Sequence, residues 1–239
     1  MLLKFYRSTI GKKIIMALTG VIFVGFVISH MAGNLKIFGG INAESGLYKF
    51  DEYAHFLREI AAPLVGHGTL LWIARIVLLG SIFLHMLMAF QLAMINRAAK
   101  PVAVHNPEYR SANAASRTMK YGGFVLFIFI IYHILHFTTG HLHFGGFAEG
   151  QVYANVHSGF SNLFNVIFYI IAMACLALHL YHGTWSLFQT LGVDNPAWNK
   201  GIRTAAKLVS ILVFLGFISV PLAVAFKVVD APVITTMKD

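Results

Sequence analysis

Long apolar runs punctuated by basic residues dominate the chain. Ile14–Leu35 lies between Lys13 and Lys36, Ile76–Asn96 between Arg75 and Arg97, and Leu208–Phe226 between Lys207 and Lys227. Tyr121–Ala148 and Gly150–Val193 carry no charge at all. A helix needs roughly 20 apolar residues to cross a bilayer core. The pattern therefore predicts an all-α integral membrane protein with five transmembrane helices, near 13–36, 69–95, 119–143, 162–190 and 204–227. The first run has the Lys/Arg-rich start of a signal peptide. It is too long for one and lacks an A-x-A cleavage site, so it is expected to stay as an anchor.

Between the first two spans the period changes. Leu47, Phe50, Ala54 and Leu57 recur at helical spacing, with Asp51, Glu52, His55, Arg58 and Glu59 mostly opposite. Such a pattern predicts an amphipathic helix near 44–60, lying in the membrane interface. Gly140–Asn162 is rich in Gly, Asn and Ser, has no basic residue and reads as a loop. With no low-complexity tract or soluble insertion, residues 1–239 are expected to form one membrane domain.

Composition agrees with the pattern. Of 239 residues, 58% are hydrophobic and 11% charged, against about a quarter charged in soluble proteins. The net charge of +9 could suggest nucleic acid, but no basic stripe interleaved with aromatics is present. One cysteine, Cys175, excludes a disulfide framework, an iron–sulfur cluster and a cysteine-built zinc site.

The charges set a direction. Lys4, Arg7, Lys12 and Lys13, then Arg97, Lys100, Arg110, Arg117 and Lys120, then Lys200, Arg203 and Lys207 make 12 basic residues on one side. The other side has five: Lys36, Lys49, Arg58, Lys227 and Lys238. The positive-inside rule places the N-terminus in the cytoplasm and the C-terminus outside, as expected of a protein of the cytoplasmic (inner) membrane.

Six histidines, His30, His85, His133, His136, His179 and His182, lie inside expected spans. An intramembrane histidine must find a partner, by packing across helices or by function. At 1.5 Å per residue, His30 and His133 sit roughly 10 Å from the outer ends of their helices, and His85 and His179 roughly 25–30 Å from theirs. That predicts an outer pair from helices one and three and an inner pair from helices two and four. Paired imidazoles at two depths suit haem iron, and the absence of C-x-x-C-H points to non-covalent haem b. Small residues (Gly33, Ala89, Gly183) follow three of the histidines on the same face, where a porphyrin needs room; Phe137 breaks that pattern after His133. His133/His136 and His179/His182 are each spaced i, i+3, so either member of each pair could hydrogen-bond instead.

Leu18-Thr19-Gly20, Ser29-His30-Met31 with Asn34, Tyr132-His133, and His179-Leu-Tyr-His-Gly-Thr-Trp-Ser186 occur in this order. In order and spacing, over about residues 10–227, the chain resembles the five-helix, two-haem cytochrome b558 subunit of succinate dehydrogenase and some fumarate reductases. The resemblance implies His85 and His179 as inner-haem ligands and His30 and His133 as outer-haem ligands. It also implies a flavoprotein and an iron–sulfur subunit on the cytoplasmic side, with succinate oxidised on a partner chain. Electrons would then cross two haem b groups to quinone, menaquinone more than ubiquinone. Some fumarate reductases of this family carry Glu two residues before the helix-four ligand; here Ala177 stands there. That departure favours the succinate-oxidising direction.

Quinone reduction needs a proton donor beside an apolar slot. Tyr53, His55, Arg58 and Glu59 on the interfacial segment are the candidates, His55 and Glu59 sharing a face; a plain solvated face is the competing reading. Trp72, Trp185 and Trp198 fit an interfacial belt, and Arg75 either snorkels or meets a propionate. Three alternatives to the dihaem subunit remain: a haem-free structural anchor, a dihaem subunit of another quinone-linked dehydrogenase, and a His-relay transporter. The last is disfavoured because no Asp or Glu lies in a span.

Overall fold

The computed structural model describes residues 2–99, 114–193 and 195–233. Lys100, Arg110 and Lys238 lie outside these residues, as does the side chain of Arg117. The fold is all-α, with five helices long and apolar enough to span a membrane. These are α2 (Thr9–Asn34), α5 (Thr69–Ala98), α6 (Ala114–Phe137), α8 (Leu163–Thr190) and α9 (Pro196–Ala225). Shorter helices are α1 (Leu2–Arg7), α3 (Lys49–Glu59), α4 (Ala62–Val65) and α7 (Val152–Phe160).

Local chemistry fixes the helix ends. Ser8 caps α2: its Oγ accepts from Gly11 N at 2.9 Å and donates to Phe5 O at 2.7 Å. The turn between α1 and α2 is tight enough that a Cβ on Gly11 would lie 1.9 Å from the Phe5 carbonyl oxygen. At its far end α2 tightens into a 3-10 turn, Leu35–Gly39, and stops at Gly40 with φ +63°. The fifth span starts before the expected position 204, because Asn195 accepts from Ala197 N at 2.9 Å and Pro196 opens the helix. The third span ends at Phe137 rather than 143, where Thr138 and Thr139 both donate to the Ile134 carbonyl.

The spans pack mainly as α8 on α9, α2 on α5 and α6 on α8. Lipid-facing surfaces remain apolar: Ile76, Phe83 and Phe90 on α5 and Leu212 on α9 are each more than 60% exposed. The buried apolar cluster concentrates at the end of the bundle that carries α3 and α7. There Ile37, Phe50, Tyr153, Val156 and Phe160 meet Val166, Tyr169, Val220 and Val224.

Helix α7 corrects the expected Gly140–Asn162 loop. Its glycine- and asparagine-rich flanks hide a helical apolar set, Tyr153, Val156 and Phe160, all buried. The amphipathic segment narrows to Lys49–Glu59, and its acidic face is not wholly solvated. Asp51 Oδ1 accepts from Tyr153 N at 2.8 Å, capping α7 from a different helix. Burial raises the Asp51 carboxyl above its ordinary value, with the Tyr153 and Val152 N–H groups pulling the other way. Tyr48 stacks on Tyr153 at 3.7 Å between ring centroids. The Tyr153 hydroxyl donates to Asp230 O at 2.7 Å, and Val233 N donates to Tyr48 OH at 3.0 Å. These bonds strap the segment after α9 across the cap.

The cap carries a pH dependence. Burial lowers the His157 imidazole below its ordinary value of 6.5. A depressed folded-state value means that the unfolded chain binds more protons, so this contribution is present above about pH 6.5 and lost as pH falls. Protection of residues 152–160 against hydrogen exchange, corrected for the pH dependence of intrinsic exchange, is expected to fall on acidification below that point. His157→Gln should flatten the response; an unchanged profile would remove His157 as its source.

Candidate functional site: paired imidazoles between the spans

The spans bring histidines together two by two. His30 on α2 and His133 on α6 lie with ring centroids 5.8 Å apart and planes at 84°. His85 on α5 and His179 on α8 lie 6.3 Å apart at 55°. Aromatic rings of α2 flank one member of each pair: Phe26 stacks on His30 at 5.2 Å, and Phe23 meets His85 edge-on at 5.7 Å.

Hydrogen bonds to the protein hold several of these rings. Thr19 Oγ1 donates back to its own helix, to Ile15 O at 2.9 Å and Met16 O at 3.0 Å. The same oxygen lies within hydrogen-bond distance of His85 Nδ1, at 2.9 Å. His133 and His136 both reach the Tyr169 hydroxyl through Nδ1, at 3.3 and 3.0 Å. His136 and Asn165 have no exposed surface. Asn165 Nδ2 donates to Gly159 O at 2.7 Å and approaches His136 Nε2 at 3.4 Å, while its Oδ1 accepts from Tyr132 OH at 2.7 Å. Only His179 Nδ1, among the four paired imidazoles, is a buried nitrogen with no hydrogen-bond partner among the described residues.

This geometry corrects the dihaem expectation. Among the described residues, no group of three or more His, Cys, Asp or Glu comes together to hold a metal ion. The two haem b groups, the cytochrome b558 assignment and electron transfer through haem iron are withdrawn on that finding. The surroundings of the rings agree with it. A Cβ on Gly33, one of the small residues expected to leave room for a porphyrin, would lie 2.7 Å from Tyr53 Cε1. That space is filled by a side chain from α3. The crevice beside His179, lined by Gly122, Val125, Cys175 and Leu178, holds about 260 Å³, below the roughly 300–1,000 Å³ of small-molecule sites.

The interfacial candidates separate. Tyr53 packs onto α2 at Gly33, one turn beyond His30. Gly33→Ala is accordingly expected to push α3 off α2 and cost about 1–3 kcal/mol, read as a lowered unfolding midpoint in detergent; an unchanged midpoint would place Tyr53 elsewhere. His55 is exposed. Arg58 offers its carbonyl to Gly68 N at 2.8 Å, and Glu59 pairs with His67 at 2.6 Å near the surface. Arg75 lies over Trp72 at 4.8 Å, and Arg203 over Trp185 at 4.2 Å, both cation–π contacts.

Asn165 and Tyr169 are the residues that sequence reading passed over. Their i, i+4 spacing on an otherwise apolar helix is a usable signal, because an amide within a span must find partners. No protein-family model, curated protein or solved structure matches the chain.

Proposed function

We propose that this chain is a haem-free membrane anchor, the subunit that holds a flavoprotein and an iron–sulfur protein of a succinate:quinone oxidoreductase at the cytoplasmic face. The observation that carries the structural half is the engagement of in-span histidines by protein: His85 with Thr19, and His133 and His136 with Tyr169. They act as polar glue between helices, a role that needs no metal. The succinate-linked half rests on the order and spacing of the motifs around His30, Tyr132-His133 and His179–Ser186. In this reading the N-terminus and the basic inter-span segments face the cytoplasm, where they meet the partner chains, in the inner membrane of the cell.

With no haem to carry electrons across a bilayer core of about 30 Å, quinone meets the iron–sulfur partner on the cytoplasmic side, and Tyr53, His55, Arg58 and Glu59 on α3 belong to the opposite interface. The physiological direction is succinate oxidation, in keeping with Ala177 in place of an intramembrane carboxylate.

Deleting the chain tests the anchor. Succinate-to-dye activity is expected to move from the membrane pellet to the soluble fraction. Activity that stays with the membrane would overturn the reading. Within the intact complex, His55→Ala and Glu59→Gln are expected to leave succinate-to-quinone turnover and dye reduction unchanged. Loss of quinone turnover with dye reduction intact would require an electron path across the bilayer and overturn the haem-free reading.

A further inference from the structure

The polar cluster between α6 and α8 has a direction that can be derived bond by bond. The Gly159 carbonyl can only accept, so the Asn165 atom 2.7 Å from it is the amide nitrogen. The Tyr132 hydroxyl, 2.7 Å from the other end of the amide, then donates to Oδ1. With the amide fixed, its Nδ2 faces His136 Nε2 at 3.4 Å. Two N–H groups would oppose each other there if Nε2 were protonated. Neutral His136 therefore carries its proton on Nδ1 and donates to the Tyr169 oxygen at 3.0 Å.

Tyr169 has one hydroxyl proton to give. The other group within reach is His133 Nδ1 at 3.3 Å. Were that nitrogen also protonated, the buried phenolic hydrogen would have no acceptor in this cluster, and an unmade buried bond is costly. Tyr169 therefore donates to His133 Nδ1, and neutral His133 carries its proton on Nε2.

We propose that Asn165 and Tyr169 form a tautomer lock, positioning residues that fix His136 as the Nδ1–H form and His133 as the Nε2–H form. The chain runs Asn165 to His136 to Tyr169 to His133 in one donor sense. Its terminal imidazole lies 5.8 Å, ring to ring, from His30. His133 thus presents an N–H donor, not a lone pair, on its second nitrogen. Opposite tautomers on two histidines one turn apart are the signature of the lock, since simple packing imposes no such relation.

The test is nitrogen-15 NMR of histidine-labelled full-length protein in lipid nanodiscs near neutral pH. Protonated, pyrrole-type signals are expected for His136 Nδ1 and His133 Nε2, with pyridine-type signals for their other nitrogens. Tyr169→Phe should release His133 into a mixture of tautomers while His136 stays locked by Asn165. Asn165→Leu should release His136. The same tautomer on both histidines in the wild type, or a His133 signal unmoved in Tyr169→Phe, overturns the proposal. If a variant fails to fold, the wild-type spectrum decides alone.

Discussion

Asn165→Leu is expected to cost about 1.5–3 kcal/mol of stability. Leucine keeps the branched four-atom shape with bulkier methyl groups, so stranded polar partners are joined by some overpacking. It strands the Gly159 carbonyl and the Tyr132 hydroxyl, each bonded to Asn165 at 2.7 Å, and removes the amide beside His136. Hydrogen bonds between membrane helices average near 0.6 kcal/mol and reach about 1.7, but a stranded buried partner adds a desolvation cost of about 1–3 kcal/mol. The penalty should appear as a lower midpoint in detergent unfolding. Leu212→Ala on the lipid-facing side of α9, where the side chain is 62% exposed, should stay within about 0.5 kcal/mol. Equal midpoints for Asn165→Leu and wild type would show that the α6–α8 polar cluster does not hold the bundle.

Asp51→Ala is expected to cost about 1–2 kcal/mol, the ordinary worth of a helix cap. The carboxylate caps α7 across a tertiary contact, accepting from Tyr153 N at 2.8 Å. Its loss therefore frees α7 from α3 as well as fraying the helix. The local readout is hydrogen exchange at Val152 and Tyr153, which should rise well before the spans are affected. Asp51→Asn keeps an acceptor oxygen and should recover most of the protection. If the asparagine variant behaved like alanine, charge rather than acceptance would be what α7 requires. Because burial already raises the Asp51 carboxyl, the neutral asparagine avoids the desolvation that the carboxylate pays.

The spans were legible in the sequence because lipid imposes a single requirement on them, uninterrupted apolar length between charges. Helix ends were less legible where a cap or turn overrides hydropathy. Asn195 and Pro196 extend α9 toward its start, and the double turn onto the Ile134 carbonyl ends α6 early. Helix α7 escaped notice because Gly145, Gly146, Gly150 and Gly159 surround a short apolar period. The pattern along α3 puts Asp51 on its polar side and cannot show a partner from another helix, Tyr153 N.

The histidines illustrate the same limit. Counting rise per residue placed His30 with His133 and His85 with His179, and the structure does bring those rings together. What counting could not supply was their surroundings. Thr19 engages His85, Tyr169 engages His133, and Tyr53 fills the space at Gly33. Among the described residues, no group of three or more His, Cys, Asp or Glu comes together there to hold a metal ion.

The most direct measurement is the haem content of the purified complex, by pyridine haemochrome against polypeptide. A haem-free anchor predicts a ratio indistinguishable from zero, with the histidines serving as helix glue. Two b-type haems per chain would contradict the account and return His30, His85, His133 and His179 to the role of axial ligands.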